Sequence, residues 1–356
     1  MTEGAGPRAG GMREVARAAG VSVSTVANVL SRPGIVAPGT RQRVEQAIQH
    51  VGYVPSGPAR QLRGLPSPLV GSVTLDLANP FFAELNRGIE DRLAEAGCLV
   101  LAGSTDLRPD REQQLLDLLR QQAVRGIVVA PIRPDLTILL KLRQAGTPVV
   151  LVEHPRGDTD LCSVAVDDVL GGRLAAEHLI ALGHRRIAYL GGVVESGTVT
   201  RRREGARQAM IAAGLDPDAA LIDLRMPIHP PPLIDAAMLA VQRLLTADPP
   251  PTAVLCLNDT AAIGVLQGLA AAGVRVPRDI SVVGYDDLRF AALLAPPLTT
   301  VSQPAYRLGW TAADLLLAEK EPDHAHREIM FQPTLVVRSS TAPPSVVSRA
   351  PRPGSA

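Results

Sequence analysis

Short polar groups stand where apolar runs end in this 356-residue chain. Asp76 and Asn79 to Phe82 follow the run around LVGSVTL, and Ser104 to Asp106 follow CLVLAG. Asn258 and Asp259 follow TAVLCL, Asp286 and Asp287 follow ISVVGY, and Arg202 stands at the head of RRREGARQAMIAAG. Aspartate and asparagine accept from and donate to paired hydroxyls, arginine offers a fork of donors, and an aromatic ring covers an apolar ligand face. That is chemistry for holding a small polar molecule. Catalytic patterns are missing: there is no G-x-G-x-x-G after a strand, no Walker loop, no G-x-S-x-G and no metal-spaced histidine pair. His154, His178, His184 and His229 are scattered and read as surface or helix-end residues. Cys98, Cys162 and Cys256 lie far apart in apolar runs and read as buried core thiols, neither a disulfide framework nor a zinc site. No metal and no cofactor is expected.

A second constellation lies near the start. Residues 12–30 read MREVARAAGVSVSTVANVL. Val15, Ala16 and Ala19 give a first short helix its apolar face, and Gly20 stands where a helix ends in the left-handed conformation. Ser22 caps a second helix by accepting from the amide of Ser24 or Thr25. Val26, Val29 and Leu30 form that helix's buried face; Val23, Ser24, Ala27 and Asn28 form the opposite one. Val44, Ala47, Ile48 and Val51 recur at helical spacing in a third helix that Gly52 ends. Two short helices around a glycine turn, clamped by a third, predict a helix-turn-helix whose second helix enters the major groove of DNA. A plain three-helix bundle has the same pattern. Charge favours the former: residues 1–65 hold eight arginines, no lysine and three glutamates, although the whole chain carries only +1.

The elements that must position these residues follow from periodicity. From Leu69 short apolar runs alternate with amphipathic stretches, and the alternation restarts after Asp168. This implies right-handed crossovers, parallel sheets with helices on both faces, and two α/β lobes of similar size. The length and a 46% hydrophobic, 20% charged composition suit two or three folding units of an ordinary globular protein. No segment approaches the roughly 20 apolar residues of a membrane span, and no signal pattern opens the chain, so a cytoplasmic, nucleoid-associated protein without membrane contact is expected.

REVARAAGVSVSTVANVL, VGYVP, NPFFAEL, RRREGAR, LCLNDTAAIG, ISVVGYDD and PPLTTVSQP occur in this order. Together, over about residues 12–340, they resemble the LacI/GalR family of bacterial transcription regulators. The resemblance implies a small all-α helix-turn-helix domain followed by an α/β two-lobed periplasmic-binding-protein-like core. It implies a disordered N-terminus at 1–11, the DNA-binding domain at 12–54, a hinge at 55–67, the core at 68–341 and a disordered tail at 342–356. Within the core, the N-lobe is expected at about 68–168 and 299–322 and the C-lobe at about 169–298 and 323–341. The implied protein is no enzyme but a repressor, a homodimer on a palindromic operator in double-stranded DNA, controlled by a small-molecule effector of the sugar or nucleoside class, most often a sugar or sugar derivative. The missing C-terminal heptad helix favours a dimer over a tetramer.

The resemblance also distributes roles. Val23, Ser24 and Asn28 match base-reading positions, and Ser22 and Thr25 belong to the same DNA-binding turn. Many members carry Arg where Asn28 stands, and Arg suits guanine where Asn suits adenine; the competing reading is a phosphate contact. Ser24 and Thr25 touch phosphate or pack at the helix start. Ala37 replaces a common capping serine, a loss of about 1 kcal/mol partly offset by Pro38. In the hinge SGPARQLR, Ala59 and Leu62 face DNA, with Leu62 as a minor-groove wedge or else packed on the core; a helix this short folds only when docked. For the effector the resemblance points to Asn79, Phe81, Phe82, Asp106, Glu153, Arg202, Asn258 and Asp286. Asn258 is alternatively a helix cap, Phe82 a core residue and Glu153 solvent-facing. Two rivals stand beside this reading. A transporter's solute-binding protein fits the core alone, and an α/β enzyme fits the fold class.

Overall fold

The computed structural model describes residues 11–53, 67–193, 197–228, 231–321 and 323–345. They form two units, one at the N-terminus and one holding most of the chain from Leu69.

The first unit is three helices, α1 (Met12–Ala19), α2 (Val23–Ser31) and α3 (Pro38–Val51). Gly20 ends α1 at φ 64° and ψ 39°, and Gly52 ends α3 at φ 65°. A side chain at either φ would strain the backbone. Gly11 begins α1, its amide donating to the Glu14 carboxylate at 3.0 Å, so the expected disordered start does not reach residue 11. Val15, Ala16, Ala19, Val26, Val29, Val44 and Ala47 form a buried mini-core, with Leu30, Ile48 and Val51 at its margin. Ala37 caps α3 without a side-chain bond, and Pro38 takes the first helical position. The hinge, with Ala59 and Leu62, lies outside the described residues, as do 1–10.

The second unit has two parallel α/β lobes. The N-lobe contains β1 (Leu69–Thr74), α4 (Pro80–Glu95), β2 (Leu99–Ser104), α5 (Pro109–Gln121), β3 (Ile127–Val129), α6 (Thr137–Gln144), β4 (Val149–Val152) and β5 (Cys162–Val166). The C-lobe contains α7 (Asp168–Ala181), β6 (Ile187–Gly192), α8 (Gly197–Ala212), α9 (Pro217–Ala220), β7 (Leu221–Met226), α10 (Leu233–Thr246), β8 (Ala253–Cys256), α11 (Asp259–Ala271), β9 (Ser281–Asp286) and β10 (Thr299–Ser302). The chain then returns to the N-lobe with α12 (Ala305–Ala318) and β11 (Glu328–Phe331) and ends in the C-lobe with β12 (Thr334–Val336). The sheet orders are β11-β5-β4-β3-β1-β2 and β12-β10-β9-β8-β6-β7; only β12 runs antiparallel, against β10.

These pairings correct the expected lobe limits. The strand at 299–302 pairs with Val283 to Asp286 and belongs to the C-lobe. The strand at 328–331 pairs with Ser163 to Val166 and belongs to the N-lobe. The crossings therefore fall near 167, 303 and 332. The tail expected from residue 342 does not begin there. Ala342 accepts from His184 at 3.0 Å and from Ser281 at 3.1 Å, and 346–356 lie outside the described residues. His184, expected at the surface or a helix end, follows the end of α7, its amide donating to the Leu179 carbonyl, and is buried there at 1% exposed.

Glycines let helices approach in pairs. A Cβ on Gly172 of α7 would lie 1.9 Å from the Arg202 carbonyl of α8, and one on Gly205 would lie 1.9 Å from the Val169 carbonyl. Gly88 and Gly309 do the same for α4 and α12. The α7–α8 contact matters most, because it brings both Asp168 and Arg202 to the edge of the cleft.

Candidate effector cleft and nucleic-acid interface

The carboxyl ends of the strands in both lobes face a common cleft, the position where ligands bind in open parallel sheets. Its inner part is a cavity of about 70 Å³. The N-lobe lines it with Leu75, Asp76, Asn79, Phe81, Phe82, Leu107 and Glu153; the C-lobe contributes Thr198, Val199, Arg202, Ile228, Leu233, Leu257, Asn258 and Asp286; Gln303 comes from a crossing. A wider opening of about 390 Å³ adjoins it, sharing Leu75, Asp76, Asn79, Ile228 and Leu233 and adding Ser104 and Asp106. Backbone strain collects here. Asp106, Leu107, Glu153, Asp286 and Asp287 all have positive φ, with Asp286 at 106°. Such conformations cost about 1–3 kcal/mol each and cluster at functional sites.

Arg202 is the electrostatic centre. Its Nε donates to Asp168 Oδ1 at 2.8 Å, its Nη1 donates to the Leu257 carbonyl at 3.1 Å, and its guanidinium lies 3.5 Å over the Tyr285 ring. Glu153 Oε2 is 3.9 Å from its Nη2. Arg201 also donates to Asp168 at 3.0 Å and to the Glu153 carbonyl at 3.0 Å. Burial works against the Arg202 charge, but the surrounding carboxylates, Asp168 first, outweigh it and raise its pKa. Burial and then the nearby Asp168 charge push Glu153 up to about 8, against the opposing pull of Arg202. Burial also pushes Asp286 up to about 6, opposed first by Arg202 and then by the hydrogen bond from Gln303.

Three side-chain oxygens in this cleft are buried without a hydrogen-bond partner among the described residues: Glu153 Oε1, Asp286 Oδ2 and Gln303 Oε1. The other oxygen of Asp286 accepts from Gln303 Nε2 at 2.7 Å, which aims the pair. A buried acceptor without a donor costs about 1–3 kcal/mol. Asp286 Oδ2 and Gln303 Oε1 can accept from donor groups in this cavity, and Glu153, which keeps its proton up to about pH 8, can donate as well as accept.

The structure brings together seven of the eight expected effector residues at the inner cavity: Asn79, Phe81, Phe82, Glu153, Arg202, Asn258 and Asp286. Asp106 stands apart at the outer opening, accepting from Ser104 at 2.6 Å and pairing with Arg111. Asn258 is both cap and lining, since its side chain accepts from the Ala261 amide at 2.9 Å. Asn79 likewise caps α4 by accepting from Phe81 at 3.1 Å. Phe82 is buried in the N-lobe core and also reaches the cavity. Glu153 is 7% exposed and does not face solvent. Arg202 does not open its helix, because α8 starts at Gly197 and places Arg202 in the second turn. Asp287 turns to Arg338 at 2.6 Å, outside the inner cavity.

Asp168, Tyr285 and Gln303 were not anticipated. Asp168 marks the restart of the strand–helix alternation, and Gln303 lies inside the quoted run PPLTTVSQP; both are crossing residues, a clue that the pattern carried. Cys98 and Cys256 are buried as expected. Cys162 is buried too, but it is more than a core thiol: its Sγ lies 3.1 Å from His324 Nε2.

In the first unit, Ser22 Oγ accepts from the Thr25 amide at 3.1 Å and bonds the hydroxyls of Ser24 and Thr25 at 2.7 and 2.8 Å. Ser24 and Asn28 are exposed and Val23 is 42% exposed, all on one side of α2; Thr25 is half-buried at the helix start. Arg13, Arg17, Arg32, Arg41 and Arg43 are exposed in the same unit. A capped helix with an open polar face, set among arginines, is suited to a duplex groove and its phosphates.

The described units define a class: a DNA-binding helix-turn-helix regulator with a two-lobed small-molecule-binding core. Residues 11–56 match the model of the bacterial regulatory proteins of the lacI family, and residues 176–341 match that of a periplasmic binding protein-like domain. The chain is 34% identical to the HTH-type transcriptional regulator DegA of Bacillus subtilis, over 93% of this chain and 97% of the relative. A ribose-bound LacI family transcriptional regulator from Enterococcus faecium superposes with TM-score 0.70 and 31% identity, over 78% of this chain and 100% of that one. The lac repressor dimer bound to operator and the anti-inducer ONPF does so with TM-score 0.78 and 28% identity, over 94% and 100%. The chain belongs to the LacI family of bacterial transcription regulators and is a regulator, not an enzyme. Among the described residues no helix is long and apolar enough to cross a membrane.

Proposed function

We propose that this protein is a repressor that acts in the cytoplasm, binds a palindromic operator as a homodimer, and has its DNA affinity set by a sugar-class effector in the interlobe cleft. The observation that carries the effector class is the trio of buried polar oxygens without a partner among the described residues, Glu153 Oε1, Asp286 Oδ2 and Gln303 Oε1, which together can both donate to and accept from hydroxyls. Sugar hydroxyls donate and accept, as such a trio requires, and Phe81 and Phe82, edge-to-face at 5.1 Å, cover an apolar ligand face. The ribose held by the Enterococcus relative supports the same class. Val23 and Asn28 read bases, Ser22, Ser24 and Thr25 set the helix start against phosphate, and Leu62 with Ala59 seats the hinge in the minor groove.

A gel-shift on the protein's own promoter region, with a panel of pentoses, hexoses and nucleosides, tests the whole reading. A salt-sensitive preference for that duplex, altered by one sugar, is expected. Absence of any preference over random competitor removes the DNA half; a response to nucleosides alone removes the sugar class. Site selection from random DNA checks Asn28, since Asn28→Arg should exchange an adenine preference for guanine at one base pair of each half-site.

A further inference from the structure

We propose that Cys162, Glu319, His324 and His326 form a binding site for a zinc-class divalent cation in the N-lobe, separate from the effector cleft. Cys162 opens β5, Glu319 terminates α12, and both histidines lie on the segment that leads into β11. Cys162 Sγ is 3.1 Å from His324 Nε2 and 3.8 Å from His326 Nδ1. Glu319 Oε1 is 3.3 Å from the same His324 Nε2 and 3.0 Å from the same His326 Nδ1. One ligand atom from each residue lies within 4.8 Å of all the others.

This convergence is what separates the cluster from a hydrogen-bond network. A network spreads its bonds over distinct donors and acceptors. Here two imidazoles direct one nitrogen each at the same sulfur and the same carboxylate oxygen. Metal–sulfur bonds of about 2.3 Å and metal–nitrogen or –oxygen bonds of about 2.0–2.2 Å give tetrahedron edges of about 3.3–3.7 Å. The separations between the four atoms, from 3.0 to at most 4.8 Å, bracket that range, so the ligand atoms need only readjust, some apart and some together, about a central ion. Cys162 is fully buried, and the Glu319, His324 and His326 side chains are 6%, 8% and 18% exposed, so water does not saturate the ligands. Thiolate, imidazole and carboxylate together suit Zn²⁺ or Co²⁺ and disfavour Mg²⁺ and Ca²⁺, which take oxygen ligands.

Arg143 makes the site conditional. Its Nη2 lies 2.5 Å from His326 Nε2, on the far side of that ring. A guanidinium only donates, so in this arrangement Nε2 holds the lone pair and Nδ1 the proton. Metal ligation through Nδ1 requires the other tautomer, with a proton on Nε2, and Arg143 must then turn away. Metal and Arg143 compete, and a bound ion fastens the lead-in of the edge strand β11 to β5 and to the end of α12.

The test uses full-length, tag-free protein stripped with a chelator and titrated with Co²⁺. One equivalent should bind, with tetrahedral d–d absorption and a thiolate-to-cobalt charge-transfer band, both bleached by Zn²⁺. Cys162→Ser should abolish the charge-transfer band, His324→Ala should weaken binding at least about tenfold, and Arg143→Ala should bind no more weakly than wild type. Absence of the band in folded wild-type protein, or its persistence in both ligand variants, overturns the proposal. If a ligand variant fails to fold by circular dichroism, X-ray absorption of zinc-loaded wild type decides: one sulfur and two imidazoles support the site, and a shell without sulfur overturns it.

Discussion

Asp286 sits at φ 106° at the end of β9, with one oxygen bonded to Gln303 and the other without a partner. A residue held this way is spending conformational energy to present an acceptor. Asp286→Asn should keep the Gln303 contact through its amide oxygen but lose charge-assisted bonding to the effector. The expected loss is about 1.5–3 kcal/mol, roughly ten- to a hundredfold in Kd by titration calorimetry. Glu153 makes a pH prediction. Its folded pKa of about 8 stands above the ordinary 4.5. Between those values the unfolded chain has released the proton and the folded chain retains it. Glu153 therefore lowers the stability of the effector-free protein progressively as pH rises from about 4.5 to about 8. Denaturant titrations across that window should show a decline that Glu153→Gln flattens. At this scale the sequence exposed residue types but not their surroundings. Asn258 and Asp286 were legible because they end apolar runs. The burial of Glu153 was not, because it depends on Arg202 arriving from the other lobe, and Asp168 and Gln303 escaped because a crossing segment has no period of its own.

The α7–α8 pair shows how elements control the cleft. Gly172 and Gly205 face the partner backbone at distances no Cβ tolerates. Gly172→Ala should push the helices apart, costing about 1–3 kcal/mol as overpacking does. Because Asp168 starts one helix and Arg202 rides on the other, the same change should weaken effector binding; a variant with wild-type melting temperature and wild-type Kd would contradict this coupling. The helix-turn-helix was readable because its signals are local: Gly20, Ser22 and the buried valines act within a few residues. The lobe limits were not. LTTVS and the run EIMF are apolar segments that either sheet could take, and only pairing assigns the first to β9 and the second to β5. The histidines before β11 were missed for the same reason: Cys162 meets His324 only because β11 returns beside β5.

At the scale of the whole molecule, charge separates the two tasks. The chain carries a net charge of only +1, yet five exposed arginines stand on the first unit among the described residues. If a dimer neutralises six or more phosphates, operator affinity should fall roughly a thousandfold between about 50 and 200 mM salt, whereas effector affinity should barely change. Fluorescence anisotropy and calorimetry over the same salt series distinguish the two slopes. Coupling between the sites must also be reciprocal: the factor by which effector alters operator Kd must equal the factor by which operator DNA alters effector Kd. Unequal factors would mean that a third equilibrium, such as dimer dissociation, intervenes.

Two of the three strands of chain that join the lobes place cleft side chains at the joint itself, Asp168 just past one passage and Gln303 within another. The binding pocket thus occupies the fulcrum of the molecule, not the tips of its jaws. If the proposed ligand bonds Gln303, a fraction of an ångström gained or lost there would become a larger excursion at the far rims of the lobes. Under the proposed function, discrimination between two ligands that differ by a single hydroxyl would then be expressed as leverage, not only as affinity.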